Sequence, residues 1–510
     1  MKKYLSFLSF VKPKFSYFCA KFTAMQVNIM NEDTICAIAT AHGMGAIAVI
    51  RISGSNAFPI VAQIFQQNGK AFDLGKMLSH KAYFGQIVDG DEMLDEVLVT
   101  FFKEPHSFTG EDSAEISVHG SVFIQQRLLQ LLISKGCRMA EAGEFTRRAF
   151  VHRKFDLAQA EAIADLIASQ NAAAHRVAMN QMKGGFSNEL KNLHDKLLEI
   201  TALMELELDF SEEDVEFADR TQLNMLLDQA TAHITRLTES FRLGNAIKNG
   251  IPVAIVGETN TGKSTLLNAL LGEERAIVSD IAGTTRDTIE EPLNIDGTLF
   301  RFIDTAGLRE TDETIEKIGI ERSYKKLSEA DIVIGMLDAT KDYCNLREAA
   351  RNIVEKTNLT QQVLFLLMNK IDQKIKGQIS TETLRQAQGD FREQCDRLRY
   401  DLQIEIGRAE IMSISAKQGI GLDELRSKLS TSKNDYDANA TLVTNMRHYE
   451  ALRNSLESLK SVRQSLADNI PTDLVAQDLR IALHHLGTIT GEVTTDEVLG
   501  TIFSRFCIGK

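Results

Sequence analysis

Gly257-Glu258-Thr259-Asn260-Thr261-Gly262-Lys263-Ser264 follows the apolar run Ile251-Pro252-Val253-Ala254-Ile255-Val256 and precedes Thr265-Leu266-Leu267-Asn268-Ala269-Leu270. A buried strand, a turn that glycine permits and the start of an amphipathic helix, in that order, make a P-loop whose backbone N–H groups wrap phosphates. In that geometry Lys263 reaches the outer phosphates and the Ser264 hydroxyl faces Mg2+. The reading predicts an α/β P-loop nucleotide domain, and the elements beyond it alternate as a doubly wound parallel sheet requires.

Working outward, Phe300-Arg301-Phe302-Ile303 delivers Asp304-Thr305-Ala306-Gly307, a carboxylate for the metal side and a glycine N–H where a γ-phosphate is sensed. Upstream, Gly283-Thr284-Thr285 reads as a switch-type loop whose threonine can close over the metal. Val363 to Met368 delivers Asn369-Lys370-Ile371-Asp372, and Glu410 to Ile414 delivers Ser415-Ala416-Lys417. The Asp372 carboxylate can accept two hydrogen bonds from the ring N–H and amino group of guanine, which adenine does not offer, so the expected base is guanine. Beside Gly307, where Ras-type proteins carry a water-orienting glutamine, stands Leu308, which cannot do this. Either Arg286 supplies charge within the chain, or a monovalent cation stands in for an arginine finger. Asn260 offers that cation an amide oxygen and equally suits a turn, and the acidic stretch Asp312 to Glu316 offers a group to position water.

The chain is 510 residues long, several times the usual domain of about 100–200 residues, so about three domains are expected. A formal net charge of −13 argues against a broad basic surface that grips nucleic acid by counterion release, so RNA contact must be local or shared. Six cysteines without CxxC or Cys/His spacing suggest neither a zinc site nor a disulfide framework, which fits a reducing cytoplasm. No apolar run of about 18 residues occurs, so no spanning helix and no membrane partner is expected. Met1 to Asn31 has lysines and phenylalanines, a short apolar segment broken by Lys12-Pro13-Lys14, and no clear cleavage site, and is read as a dispensable or mis-started leader ahead of Met30.

Asp33 to about Phe150 alternates in short apolar runs, such as Ala46 to Ile52 and Ala114 to His119, with a helix near Ile124 to Ser134, hence an α+β module. Phe108 to Asp112 and Gly143 to Phe150 combine glycine with charge and read as solvated turns. Beyond Phe155 the period becomes helical: Leu157, Ala160, Ile163, Ala164 and Ile167 share one face, as do Leu190, Leu193, Leu197, Ile200 and Met204. The acidic run Asp209 to Asp214 reads as a solvated capping segment rather than a metal site. Asn245 to Gly250 reads as a polar linker into the nucleotide unit. After Thr431 to Asp437 helical periodicity resumes at Leu452, Leu456, Leu459, Val462 and Leu466, then at Leu474, Leu479, Ala482 and Leu486. Helices on both flanks of an α/β unit imply one discontinuous α-helical domain with the nucleotide domain inserted.

These stretches resemble the MnmE (TrmE) family of tRNA-modification GTPases from about Asn31 to Lys510. The marks are Val49 to Gly54, Phe108 to Asp112, Gly143 to Phe150, Phe155 to Ala162, Leu208 to Phe217, Asn445-Met446-Arg447-His448 and the tail Ile502 to Lys510. The resemblance implies a leader at 1–29, an α+β dimerisation and folate domain at 30–150, helical segments at 151–248 and 429–510, and the G domain at 249–428. It extends the nucleotide set to Thr265, Ser279, Asp280, Ile281 and Ala282. It implies K+ at Asn260, Ser279, Ile281 and Thr284, Mg2+ at Ser264 and Thr285, and Glu316 orienting water. It also implies a homodimer binding 5-formyltetrahydrofolate or a related one-carbon folate through Arg51, Glu115, Lys154 and Lys510. Cys507, otherwise a small hydrophobe, would present a thiol at that pocket, with Arg505 or Lys510 favouring the thiolate. The implied partners are the FAD-containing flavoprotein MnmG (GidA) and tRNA, which would receive an aminomethyl or carboxymethylaminomethyl group at C5 of a wobble uridine. Two departures stand out: residues 1–29 lack a counterpart, and Gln373 to Arg408 exceeds the usual spacing. The competing reading is a regulatory GTPase of ribosome assembly, which accounts equally for Gly257 to Lys417.

Replacing Asp372 by Asn exchanges an acceptor for a donor, so the variant is expected to lose several kcal/mol of GTP affinity and to favour xanthine nucleotides. Competition binding of GTP against XTP checks this; a variant that still prefers GTP refutes the assignment of Asp372.

Overall fold

In Ile47–Ser53 the side chains of Ala48, Ile50 and Ile52 are buried while their neighbours face the other way, the period of two that half-covered strands require. The computed structural model describes residues 33–209, 220–272, 290–303, 327, 330–360, 362–374, 381–402, 409–431, 441–468, 470–504, 506 and 509. They divide into two units, one from residues 1–160 with 494–510 and one from residues 161–493.

The first unit is built on strands β1 (Thr34–Ile38), β2 (Ile47–Ser53), β3 (Phe65–Gln67), β4 (Lys70–Ala71), β5 (Ala82–Asp89), β6 (Glu92–Phe102), β7 (Ser113–His119) and β8 (Cys137–Met139). Their order is β4-β3-β5-β6-β7-β2-β1-β8, with β1 and β8 parallel and the other pairs antiparallel. Helices Ala57–Ile64 and Val122–Ser134 cover one face, where Phe72 stacks on Phe101 at 5.3 Å. On the opposite face Phe145, Ala140 and Phe108 cover Ile35 and Ala37 of β1, whereas Phe84 and Leu98 remain exposed. Helix Asp496–Phe503 packs on helix Glu144–Val151 at Gly143, where a Cβ would lie 2.6 Å from the Phe503 carbonyl oxygen. Gly143 to Phe150 is therefore no solvated turn: Glu144, Phe145, Thr146, Arg148 and Ala149 are buried helix positions.

In the second unit, Asn245 to Asn249 are the last turns of helix Arg220–Asn249 rather than a polar linker, and Ala246 packs into the nucleotide-unit core. Gly250, at φ +87°, turns the chain into β9 (Ile251–Gly257). With β10 (Glu290–Ile295), β11 (Thr298–Ile303), β12 (Ile332–Asp338), β13 (Val363–Asn369) and β14 (Ala409–Ser413) it forms a sheet of order β10-β11-β9-β12-β13-β14. All pairs are parallel except β10–β11. Within the long segment before β14, helix Thr381–Asp401 buries Phe391, Cys395 and Leu398 against this sheet.

Helices Gly185–Asp209, Arg220–Asn249, Met446–Ala467 and Thr472–Thr490 pack together, burying the 190–204 row and Leu452, Leu456, Leu459 and Val462 as their spacing predicts. Ile167 and Leu474 depart from the predicted faces and stand exposed, at 49% and 53%. Asp209 ends its helix, and the rest of the acidic run to Asp214 lies outside the described residues.

Glu161, in helix Leu157–Ala168, receives Arg447 Nε and Nη2 at 3.0 and 2.9 Å and lies 2.6 Å from His448 Nε2. Arg447 also donates to the carbonyls of Thr488 and Ile489, near the end of helix Thr472–Thr490 where intrahelical donors run out. Burial alone would raise the Glu161 carboxyl, but His448 and Arg447 hold it down at about 2. Burial keeps the His448 imidazole below its ordinary value.

A carboxyl depressed in the folded state contributes stability above its unfolded value of 4.5, which is lost as pH falls towards about 2. The unfolding midpoint in urea is therefore expected to drop across that window, and Glu161→Gln to flatten the drop while costing about 3 kcal/mol at pH 7. Parallel pH profiles for the two proteins would refute the assignment.

Candidate functional site

The C-terminal ends of β9, β12, β13 and β14 lie along one edge of the parallel sheet, and β9 sits between β11 and β12, where the order reverses. Open α/β sheets bind ligands at such a point. Gly257 closes β9 at φ +153° against β12; a Cβ there would lie 2.4 Å from the Met336 carbonyl oxygen. Asn260 follows at φ +60°, a turn conformation, and Gly262 at φ +98° caps helix Lys263–Leu271. The Thr261 hydroxyl donates to the Glu258 carbonyl at 2.9 Å, closing the loop on itself.

Lys263 is half-buried, and its ammonium donates to the carbonyls of Gly257 and Glu258 at 3.0 and 2.8 Å, across the mouth of the loop. Burial pushes its pKa down, with Glu258 opposing. Ser264 and Thr265 occupy the first turn of the helix, the positive end of its dipole.

Asn369, 3% exposed, ends β13. Its amide nitrogen donates to the Thr261 carbonyl at 2.8 Å and its amide oxygen accepts from Ala416 N–H at 2.9 Å. Asp372 Oδ1 accepts the Ser415 hydroxyl at 2.6 Å, which fixes the carboxylate against the following loop. Ser415 and Ala416 are buried and Lys417 is exposed. The geometry thus brings together Asn260, Thr261, Gly262, Lys263, Ser264, Thr265, Asn369, Lys370, Asp372, Ser415, Ala416 and Lys417. Ser279, Asp280, Ile281, Ala282, Gly283, Thr284, Thr285, Asp304, Thr305, Ala306, Gly307 and Glu316 lie outside the described residues.

Sequence reasoning missed Asp338, Lys341 and Glu258. Asp338, at the end of β12, accepts Lys370 Nζ at 2.7 Å and the Thr340 hydroxyl at 2.6 Å. Burial opposes ionisation of Asp338, but Lys370 and Thr340 outweigh it and lower its pKa. Lys341 pairs with Glu258, so a charged chain links the P-loop to the β12 and β13 ends. Nothing in the local sequence signals these long-range partners.

In the first unit, register places Arg51 of β2 directly opposite Glu115 of β7, and their side chains pair at 2.8 Å. The Arg51 guanidinium lies 4.9 Å from the Phe108 ring centroid and 5.8 Å from that of Phe145. Gly509 is buried here, where a Cβ would lie 2.1 Å from the Ile38 carbonyl oxygen, so the tail passes close to Arg51. Lys154 Nζ donates to the Pro105 carbonyl at 2.8 Å. Cys507 and Lys510 lie outside the described residues.

Arg148, 4% exposed, holds Asp33, Glu111 and Glu144 at 3.0–3.2 Å, and Arg138 adds bonds to Asp33 and Glu144. Burial alone would raise Glu144, but the two guanidinium groups and the Glu141 N–H lower it. Glu111 also accepts the Ser53 hydroxyl at 2.8 Å, and Ser53 in turn bonds Thr109. Phe108 to Asp112 is therefore pinned to the sheet beside Arg51. The signal available in the sequence is the Glu144/Arg148 spacing of four on one helix face.

The family model described as GTP-binding protein TrmE N-terminus matches residues 34–154, and that of the MnmE helical domain matches residues 157–507. A tRNA modification GTPase MnmE of Flavobacterium johnsoniae is 50% identical over 485 residues, covering 94% of this chain and 100% of that protein. One from Bacteroides fragilis is 51% identical over 484 residues with the same coverage, and one from Porphyromonas gingivalis is 49% identical over 487 residues, covering 94% of this chain and 98% of that protein. With the P-loop and the Asn369–Asp372 loop held in one site, and likeness over nearly its whole length, the chain belongs to the MnmE family of tRNA modification GTPases.

Proposed function

We propose that the chain is a GTP-hydrolysing enzyme of tRNA modification that, with a flavoprotein partner carrying FAD, installs an aminomethyl or carboxymethylaminomethyl group at C5 of a wobble uridine. The observation that carries the reading is the pinning of the P-loop and the Ser415–Ala416 loop by Asn369, next to an Asp372 carboxylate that accepts the Ser415 hydroxyl. Likeness at about 50% identity to proteins named as tRNA modification GTPases supplies the modification half.

In this reading Lys263 leaves its carbonyl partners for the outer phosphates, Asp372 selects guanine, and Asn369 keeps the two loops in register. A half-buried Ser264 hydroxyl on the first helical turn fits Mg2+, a hard cation that takes oxygen ligands, with Thr285 as the second residue to hold it. Mg2+ supplies charge neutralisation on the phosphates when bound. K+ is held by Asn260, Ser279, Ile281 and Thr284, and Glu316 orients water in place of the glutamine that Leu308 replaces. The left-handed backbone of Asn260, in the middle of the P-loop, suits either a turn or a cation ligand.

The one-carbon folate is taken by Arg51, Glu115, Lys154 and Lys510, with Cys507 beside it. A guanidinium near two aromatic rings and paired with a carboxylate is a fitting platform for a flat heterocycle bearing hydrogen-bond donors. The exposed Phe84 and Leu98, on the same sheet face as Arg51, support a homodimer formed through this unit. We place the domain boundaries at residues 30, 151, 249 and 429, and, on the scattered cysteines, the protein in the cytoplasm.

Hydrolysis is expected to be faster in K+ than in Na+, and Glu316→Ala to lower turnover with little loss of GTP affinity. Equal steady-state rates in the two salts remove the cation from the mechanism.

Cys507→Ser is expected to keep GTP turnover near wild type while tRNA modification fails, because the G site and the modifying centre use separate residues. Reconstitution with the flavin partner, GTP, K+ and tRNA, followed by nucleoside mass spectrometry, reads both activities on one preparation. Full modification by the serine variant returns Cys507 to a packing role. Wild-type protein that leaves the uridine unmodified overturns the proposed function in favour of a ribosome-assembly GTPase.

A further inference from the structure

In the first unit β5 begins, β6 ends and β7 begins at one end of the sheet, and three loops gather there. The loop before β5 is tied to the one after β6 by Lys103 N–H to the Ser79 hydroxyl at 2.9 Å and by His80 N–H to the Phe101 carbonyl at 2.8 Å. The third, after helix Glu144–Val151, joins them through Lys154 Nζ on the Pro105 carbonyl. It also packs on Gly110, where a Cβ would lie 2.8 Å from the His152 Cβ. Contiguity is thus fixed by bonds between loops distant in sequence.

These loops carry Lys81, Lys103, Arg153 and Lys154, all exposed, with His80, His106 and His152 among them. Among the described residues none of the four cations has a carboxylate within ion-pair distance, whereas Arg51, Arg138 and Arg148 in the same unit are all paired. Of the local acids, Asp112 is bound into the loop, its Oδ1 accepting the Glu104 N–H at 3.0 Å, and the exposed Glu104 carboxylate is one charge against the four cations. In a chain of net charge −13, a contiguous set of uncompensated cations is the local basic surface that polyanion binding requires. It borders the proposed modifying pocket, because Lys154 belongs to both and Phe108, stacked on Arg51, lies in the loop between.

We propose that this loop cluster is the surface on which the tRNA sugar-phosphate backbone docks, delivering the uridine to the pocket beside Arg51. The assignment rests on the tRNA-modification reading above. Lys81, Lys103 and Arg153 hold phosphates as point charges and a fork, without reading sequence, so binding here is salt-dependent and tolerant of tRNA identity.

The test uses the full chain with Lys81→Gln, Lys103→Gln and Arg153→Gln combined, leaving Lys154 intact. A control replaces Lys191, Arg453 and Lys460, exposed cations of the other unit, by Gln. Binding of an unmodified tRNA transcript is followed by fluorescence anisotropy from about 50 to about 200 mM KCl. The loop variant is expected to bind at least about tenfold more weakly and to flatten the slope of log affinity against log salt by about 0.7–0.9 for each phosphate it no longer neutralises. GTP turnover, melting temperature and the control variant's tRNA affinity are expected to stay at wild-type values.

Unchanged affinity and slope in the loop variant, or an equal loss in the control, overturns the surface. So does loss of a polyglutamylated folate with tRNA affinity retained, which would give the cations to the folate tail. Wild-type protein that binds no tRNA overturns the functional reading and this surface with it.

Discussion

The nucleotide site depends on one carboxamide. Asn369 sits at the end of β13 with a donor satisfied by the P-loop and an acceptor satisfied by the Ala416 N–H, so loops from three strands share one buried side chain. The constraint reaches back into the P-loop, since a Cβ at Gly262 would lie 2.3 Å from the Asn369 amide nitrogen. Glycine is required there twice, for its φ of +98° and for the space Asn369 occupies. Truncating Asn369 would leave a buried N–H and a buried carbonyl unpaired, at about 1–3 kcal/mol each. Motifs separated by more than a hundred residues are therefore one mechanical object.

The first unit uses charge where the second uses a neutral amide. Glu144 and Arg148 are almost fully buried, a cost recovered only because Asp33, Glu111 and Arg138 complete the set with good geometry. Such a cluster adds little net stability over an apolar core of equal volume, but losing one member strands the rest. What it secures is placement: Phe145 is carried on the same helix as Glu144 and Arg148, and Phe108 is three residues from Glu111, so both rings are held against Arg51.

The parts legible in the sequence are those whose chemistry is local. A P-loop, the Asn369–Asp372 element and the Ser415–Lys417 turn each announce a strand end within a few residues, and the 3.6 period finds the helices around Leu190–Met204 and Leu452–Val462. Gly143 to Phe150 misled because glycine and charge suggest solvent, while the partners that let its charges be buried include Asp33, 115 residues from Arg148. Asn245 to Asn249 misled for the same reason: within that stretch polar Asn245, Lys248 and Asn249 surround Ala246, the residue that packs into the nucleotide-unit core. Arg51 and Glu115 each look ordinary on their strands. Only the β2–β7 register, which sets them opposite each other across 64 residues, makes them a pair.

The helix-to-strand continuity at Gly250 changes what the insertion means physically. A flexible linker would let the nucleotide sheet turn freely on the helices, but helix Arg220–Asn249 enters β9 through one residue and is bonded again at Arg242, whose Nε donates to Asp331 at 3.2 Å. Asp331 N–H in turn donates to the Pro252 carbonyl, locking the start of β12 to β9. Rotation of the sheet about this helix would cost the Arg242–Asp331 bonds and the burial of Ala246. The strand that carries the P-loop thus continues directly from the helical framework, and the same β9 that leads into the P-loop at one end is tied to that framework at the other.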